Sequence, residues 1–413
     1  MNKLSRLEVF FSGLIFLFFF GPHLALGTLS GPANVASYII LFFLIVKRWR
    51  KVLYVLTLAP LPTLLLLLSI ASVFWSAAPD YTATEVRAAI RSTLLGAYLA
   101  TFFTAKEFMS LLASMIAVGS ILSFAVEIAA SNQGAWQGIF AQKNILSYIM
   151  TIGVLLSIHQ LLFSKTRKWK GIFLLSCSLI LLFLSQGKGA WLTLIITLSL
   201  FPLQIVSNDK YKVRIAFYLS FTLIIASSIF LLFSNLEYIV VDGLGKNLEF
   251  NGRIPIWDLM IEKGLEHPLL GYGYSGFWTA DVGKDIVSNT WASGLAKNPD
   301  YRFNAHNTYM ETFLQLGFCG LTLLTSAIVA ALLRLVSLLG DRTQSTENLW
   351  MLQSFIAMIL MGLSEAFGSI SATSHWSLFV YISLSSALQK SRLHRSIKFQ
   401  PLRHFNQSSQ NTD

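Results

Sequence analysis

His306 stands in Ala305-His306-Asn307, directly ahead of an apolar run, and Arg253 in Asn251-Gly252-Arg253, near the other end of the same polar stretch. An imidazole can take a proton from a hydroxyl near neutral pH, and a guanidinium can hold a phosphate through a fork of N–H donors. Three further cations could serve the same anion: Lys188 in Ser185-Gln186-Gly187-Lys188-Gly189, and Arg87 with Arg91, whose spacing of four puts both on one helix face. A base together with a group of cations is the equipment for a transfer in which an anion departs. Each residue also has a plainer reading. A lone histidine more often packs than reacts, Lys188 can snorkel to a membrane interface, and Arg87 and Arg91 can pair locally. Asp258 and Glu262, again four apart, read either as ligand contacts or as a solvated face.

These residues need elements to place them. Asn251-Gly252 reads as a turn, and Pro255 suits the first turn of a short helix running to about Gly264, ended by His267-Pro268. Arg253 then lies at a helix N-terminus, where free backbone N–H groups and the dipole favour an anion. Asn307 can cap the helix that continues into the next apolar run, leaving His306 exposed just before it. Trp257 and Asn307 are further candidate ligand contacts beside these residues. Gly271-Tyr272-Gly273-Tyr274-Ser275-Gly276 matches G-x-G-x-x-G in letters but follows no strand and opens no βαβ unit, so it reads as a glycine-rich turn.

The surroundings are membrane. Of 413 residues 54% are hydrophobic and 12% charged, with a mean hydropathy of +0.61, far from the roughly 25% charged of soluble proteins. Apolar runs near the roughly 20 residues needed to span, without period-2 alternation, give an all-α polytopic fold of about twelve transmembrane helices. They fall near 8–28, 30–46, 52–75, 88–104, 108–130, 144–163, 171–185, 189–206, 215–234, 313–335, 349–368 and 375–389. The predicted division is an N-terminal bundle over 1–234, a large loop or cap with short helices over 235–312, C-terminal helices over 313–389 and a basic tail over 390–413. Trp257, Phe277, Trp278, Trp291, Tyr301 and Phe303 give the loop enough apolar mass to pack.

With both termini inside, the clusters Lys47–Lys51, Lys165–Lys170, Lys210–Arg214 and the tail all fall on the cytoplasmic side, and the loop falls outside. The net charge of +11 is therefore topology facing anionic lipid, with no nucleic-acid partner. The first span, with Lys3 and Arg6 ahead of it, reads as an uncleaved helix despite its likeness to a signal peptide. Cys177 and Cys319 lie in apolar runs and read as packed thiols. No Cys/His set has zinc spacing and no Asp-x-Asp pair is present, so neither a metal nor another cofactor is expected.

The motifs together resemble the O-antigen ligase and exopolysaccharide polymerase superfamily of bacterial inner-membrane glycosyltransferases. The resemblance runs through Ser72-Val73-Phe74-Trp75-Ser76 with Pro79, Gly138-Ile139-Phe140 with Lys143-Asn144, and Leu184-Ser185-Gln186-Gly187-Lys188. It continues through Asn251-Gly252-Arg253 with Trp257, His267-Pro268-Leu269-Leu270-Gly271-Tyr272-Gly273 with Phe277-Trp278, and Ala305-His306-Asn307-Thr308-Tyr309 with Gly317 and Gly320. The Trp-Ser and Lys-Asn elements look most like its exopolysaccharide branch. The resemblance implies an undecaprenyl-diphosphate-linked glycan donor at the periplasmic face, moved onto an acceptor hydroxyl without metal or nucleotide. It further implies His306 as general base and Arg253 as the loop arginine on the diphosphate. Lys188 falls where members commonly carry an arginine; lysine keeps the charge and loses the bidentate fork. A flippase and a chain-length regulator are the partners such a pathway implies. Three activities stay open: polymerising lipid-linked repeat units, ligating finished polymer to lipid A core, and, from a different class, carrying a small solute or inorganic carbon. Against transport, no internal repeat with broken mid-membrane helices is evident.

Overall fold

The structure, a computed structural model, describes residues 3–19, 30–130, 134–163, 168–201, 253–290, 293, 303–340, 345–366 and 373–398. Among the described residues there are helices and no strand, as the hydropathy pattern predicts. They are α1 (Lys3–Phe18), α2 (Ser30–Leu58), α3 (Pro60–Ala71), α4 (Pro79–Phe102), α5 (Ala105–Ala130), α6 (Lys143–Phe163), α7 (Lys168–Leu184), α8 (Lys188–Leu198), α9 (Arg253–Gly264), α10 (Asp281–Ser288), α11 (Thr308–Leu338), α12 (Ser345–Met361) and α13 (Ser374–Lys398).

By length and apolarity α5, α6 and α11 can each cross a membrane, and α2 with α3 makes a fourth candidate, bent by 98° at its break. The chain is a multi-pass membrane protein. Of the twelve predicted spans, the one at 215–234 lies outside the described residues, along with Asn251, Gly252, Trp291, Tyr301 and the tail beyond 398. Each of the others overlaps a described helix, 30–46 and 52–75 both overlapping α2, and among the described residues only α5, α6, α11 and the bent α2–α3 pair are long and apolar enough to span.

One boundary differs for a clear reason. The pattern predicts a break at Lys47–Lys51, yet α2 runs through this cluster. Glu8 explains it. Buried on α1, its carboxylate accepts from Lys47 Nζ and from Arg48 Nη2, the latter at 2.8 Å, so two of the cluster's cations share one counter-charge within the bundle. Arg48 leaves helical geometry at φ −127°, ψ 16°, with its guanidinium 4.4 Å from the Phe102 ring. The chain turns instead at Ala59, where Pro60 supplies no N–H and disfavours helical backbone in the residue before it.

The bundle is held as membrane helices are, by close packing plus hydrogen bonds between side chains on facing helices. α13 lies against α4, with Trp376 Nε1 donating to Thr93 Oγ1 at 2.8 Å and Ser377 Oγ to the Ser92 carbonyl at 3.0 Å. α6 is buried on nearly every side from Leu146 to Ser157, which fits a sequence that is apolar all round.

The cap has its own core: Ile256 and Met260 of α9, Phe277, Ile286 and Val287 around α10, Phe303, and Leu314 contributed by α11. Backbone hydrogen bonds fasten it to the bundle. α11 is interrupted at Gly317, whose φ of 63° and ψ of −162° a residue with a side chain would rarely adopt. The interruption frees backbone groups on both sides of it. Tyr272 N donates to the Leu314 carbonyl and Gly273 N to that of Gln315, both at 2.9 Å, while Phe318 N donates to the Pro268 carbonyl at 2.7 Å and Cys319 N to that of Leu269 at 3.1 Å. Gly273, at φ 90°, lies so close to Ser76 that a Cβ there would come within 2.5 Å of its Cα. The glycine-rich segment is thus a turn, as expected, and its work is to enter a broken helix.

Candidate active site at the His306 turn

His306 occupies the left-handed region at φ 47°, uncommon for a residue with a side chain and worth about 1–3 kcal/mol of strain. Its surroundings fix it there. His306 N donates to Asn304 Oδ1 at 2.9 Å, and the neighbouring Ala305 is pinned on both sides, its carbonyl by Trp257 Nε1 at 2.9 Å and its N–H by Glu311 Oε2 at 2.7 Å. Asn307 caps α11 as predicted, Oδ1 accepting from Tyr309 N and Met310 N at 2.9 and 3.0 Å, while its Nδ2 donates to the Leu363 carbonyl at 3.1 Å.

This geometry aims the imidazole at Glu365, in the turn that follows α12. His306 Nδ1 lies 3.0 Å from Glu365 Oε2, with the histidine side chain 20% exposed and the carboxylate 5%. An ionised carboxylate only accepts, so the contact assigns the hydrogen to Nδ1 and leaves Nε2 with its lone pair. Asn144 Nδ2, at the start of α6, donates to Glu365 Oε1 at 2.6 Å. Thr308 Oγ1 donates to the Glu365 carbonyl at 2.9 Å and Thr308 N to that of Gly362 at 2.8 Å, which locks the two turns together. Three distant segments therefore meet at one carboxylate: the α6 start, the α12 end and the loop before α11.

Glu311 supports the turn from beneath. Buried in the first turn of α11, it accepts from Ala305 N, from Trp278 Nε1 at 3.0 Å and from Gln315 Nε2 at 2.6 Å. A carboxylate with this many donors can remain buried, and it fixes His306, the cap and α11 relative to one another. Further out, Glu266 accepts from Lys263 Nζ at 2.7 Å and from the Tyr272 hydroxyl at 2.9 Å. The Lys263 hydrogen bond, with that of Tyr272, lowers the Glu266 carboxyl below its ordinary range, and burial followed by Glu266 raises the Tyr272 phenol.

The cations separate into two sets. Lys188 is the first residue of α8 and is exposed. Gly187 before it lies directly over Ser147 of α6, and a Cβ on Gly189 after it would lie 3.7 Å from Ser364 Oγ, next to Glu365. The Lys188 turn thus abuts the His306 site. Arg253 opens α9, the helix tied to the His306 loop through Trp257, so its backbone also belongs to this neighbourhood. Arg91 does not reach it. Buried on α4, it donates to Ser37 Oγ at 2.8 Å and to Asn34 Oδ1, with its guanidinium 4.1 Å from the Tyr38 ring. Arg87 is exposed and bonded within its own helix, to Thr84 Oγ1 at 3.0 Å and the Ala83 carbonyl at 3.2 Å. Of the candidate ligand contacts, Asp258 is exposed on α9, whereas the polar atoms of Trp257 and Asn307 described above already have partners within the turn.

Glu365, Asn144 and Glu311 had no site role in the sequence reading. Asn144 lies in the Lys-Asn motif, the one signal that could have pointed to it.

Residues 172–325, the stretch that holds Lys188, Arg253 and His306, match the O-antigen ligase family. Over 94 residues the chain is also 30% identical to the exopolysaccharide production protein ExoQ of Rhizobium meliloti (strain 1021), covering 22% of this chain and 21% of that protein's length. The resemblance carried by the motifs thus has support in this stretch: the chain contains a region that matches the O-antigen ligase family and a segment similar to an exopolysaccharide production protein.

Proposed function

We propose that the protein is an integral membrane glycosyltransferase that polymerises lipid-diphosphate-linked oligosaccharide repeat units into an exopolysaccharide or O-antigen chain. The observation that carries this reading is the 3.0 Å contact between His306 Nδ1 and Glu365 within a region of this family. In the reaction, Nε2 of His306 takes the proton of the acceptor hydroxyl as its oxygen bonds to the anomeric carbon of the donor sugar. The bond from that carbon to the diphosphate oxygen breaks, and its electron pair leaves with the lipid diphosphate. Lys188 and Arg253 neutralise the departing charge, an electrostatic contribution of several kcal/mol in a partly dry site. Glu365 keeps the imidazole in the tautomer that accepts at Nε2 and stabilises the imidazolium that forms. The site lies at the periplasmic face of the bacterial inner membrane, with both termini cytoplasmic and the 235–312 loop as its cap.

A second reading, transfer of finished polymer to lipid A core, has its own support, since the matching family is described as O-antigen ligase. Purified protein incubated with lipid-linked repeat units separates the two. Chain growth without lipid A core is the expected result; growth that waits for core to be added assigns the ligase instead.

A further inference from the structure

The cap meets the bundle in an unusual place. Its segment Pro268–Gly273 is hydrogen-bonded into the break of α11, so Leu269 and Leu270 lie level with Phe318 and Cys319. Gly317 lies within the apolar run 313–335 of a helix long and apolar enough to span, roughly 6 Å past the start of that run at 1.5 Å per residue. Irregular backbone at such a depth is tolerated where its polar groups are satisfied by protein, and here the α11 break satisfies them.

Large apolar side chains stand exposed at this edge, with Glu266 and His267 between them. Leu265 is 56% exposed, Leu269 65% and Leu270 41%. Beside them stand Phe74 at 92%, next to Trp75 whose Nε1 donates to the Leu270 carbonyl, and Phe318 at 49%. A contiguous apolar patch of this kind marks a contact surface, and this one is continuous through Phe318 with the outer face of a spanning helix, which also exposes Val329, Leu333 and Val336. A groove of about 580 Å³ opens at the patch, lined by Trp75, Leu269, Leu270 and Val282 together with Glu266 and His267. Apolar side chains, a tryptophan and a few charged groups brought together in this way are the composition of a membrane–water boundary.

We infer that Leu265, Leu269 and Leu270 at this cap edge are immersed at the surface of the bilayer, with Glu266 and His267 at the level of the headgroups, and that the groove beside them takes the acyl chain of a membrane phospholipid. The cap is thereby fixed in depth against the membrane surface independently of any reaction, and the inference stands whether or not the glycosyltransferase reading does.

The test uses the full-length chain in liposomes of phosphatidylcholine and phosphatidylglycerol. In a Cys177→Ala, Cys319→Ala background, Leu269→Cys and, as a second edge position, Leu265→Cys carry a nitroxide; Asp281→Cys, exposed at the start of α10, is the reference on the same cap. At both edge positions the label is expected to relax more with oxygen than with a water-soluble nickel chelate, the reverse of Asp281. Brominated phosphatidylcholine should quench a bimane at Leu269 at least twofold more than one at Asp281. Nickel accessibility at Leu269 equal to that at Asp281 overturns the inference, since the edge then faces water. Low accessibility to both reagents with no bromine quenching also overturns it, since the edge is then covered by protein.

Discussion

The two ends of α6 carry two histidine sites that look alike in outline and differ in every property that matters for chemistry. At one end Asn144 reaches Glu365, which faces His306; toward the other, His159 Nε2 meets Gln353 Oε1 at 2.6 Å, and Gln353 Nε2 donates to the Thr197 carbonyl at 2.9 Å. His159 is fully buried and its partner is neutral, so the group is a closed polar contact joining α6, α8 and α12. His306 has a carboxylate partner, an open face and a strained backbone held in place from several sides. A buried amide partner orients an imidazole, but only a carboxylate also stabilises its protonated form, and only an exposed ring meets a substrate. The inner site is a joint between helices; the outer one has what a base requires.

The sharpest break in this comparison removes the outer imidazole. His306→Asn keeps a residue that tolerates φ near 47° and is expected to lower glycan transfer by about 10²- to 10⁴-fold, with an unchanged melting temperature in detergent. Glu365→Gln makes the outer pair resemble the inner one. Turnover should fall by about 10- to 10³-fold with KM little changed, because the charge that stabilises imidazolium is gone while the hydrogen bond remains. Gln353→Leu is the reciprocal lesion: it strands His159 Nε2, removes one of the donors to the Thr197 carbonyl, and should cost about 1–3 kcal/mol of stability, read by denaturation in detergent, with transfer per folded molecule preserved. Lys188→Ala should raise KM for the lipid-linked donor about tenfold, and Lys188→Arg should restore it, since a charge-assisted hydrogen bond is worth about 1.5–3 kcal/mol.

The smallest effect concerns the cap edge. Glu266 has its pKa lowered in the folded state, so its contribution is present above the ordinary carboxylate range and is lost as pH falls through the lowered value. Melting temperature should therefore dip slightly on acidification, and Glu266→Gln should flatten that limb.

Local features of both the fold and the site could be read from the sequence, and long-range pairings could not. The start of α9 at Arg253, the cap by Asn307 and the turn at Gly271–Gly276 all follow from residues within a few positions of one another. The role of Glu365 was hidden, because its partners His306 and Asn144 lie 59 and 221 positions away. The same holds for Arg91: its charge and face were readable, whereas Asn34 and Ser37, which occupy its guanidinium, come from another helix. Cys319 was expected among packed thiols and is exposed. The interruption of α11 was hidden because Gly317 sits in an apolar run, and only the backbone of a distant segment gives the break its purpose. The course of α2 through its cationic cluster likewise depends on Glu8.

The most direct measurement of the central claim is chain growth by purified protein on lipid-diphosphate-linked repeat units, comparing the native chain with His306→Asn at equal folded concentration. Native protein should lengthen the glycan with no added metal, and the variant should leave it at single repeats over the same interval. Equal chain growth by the two would contradict the assignment of His306 as the base.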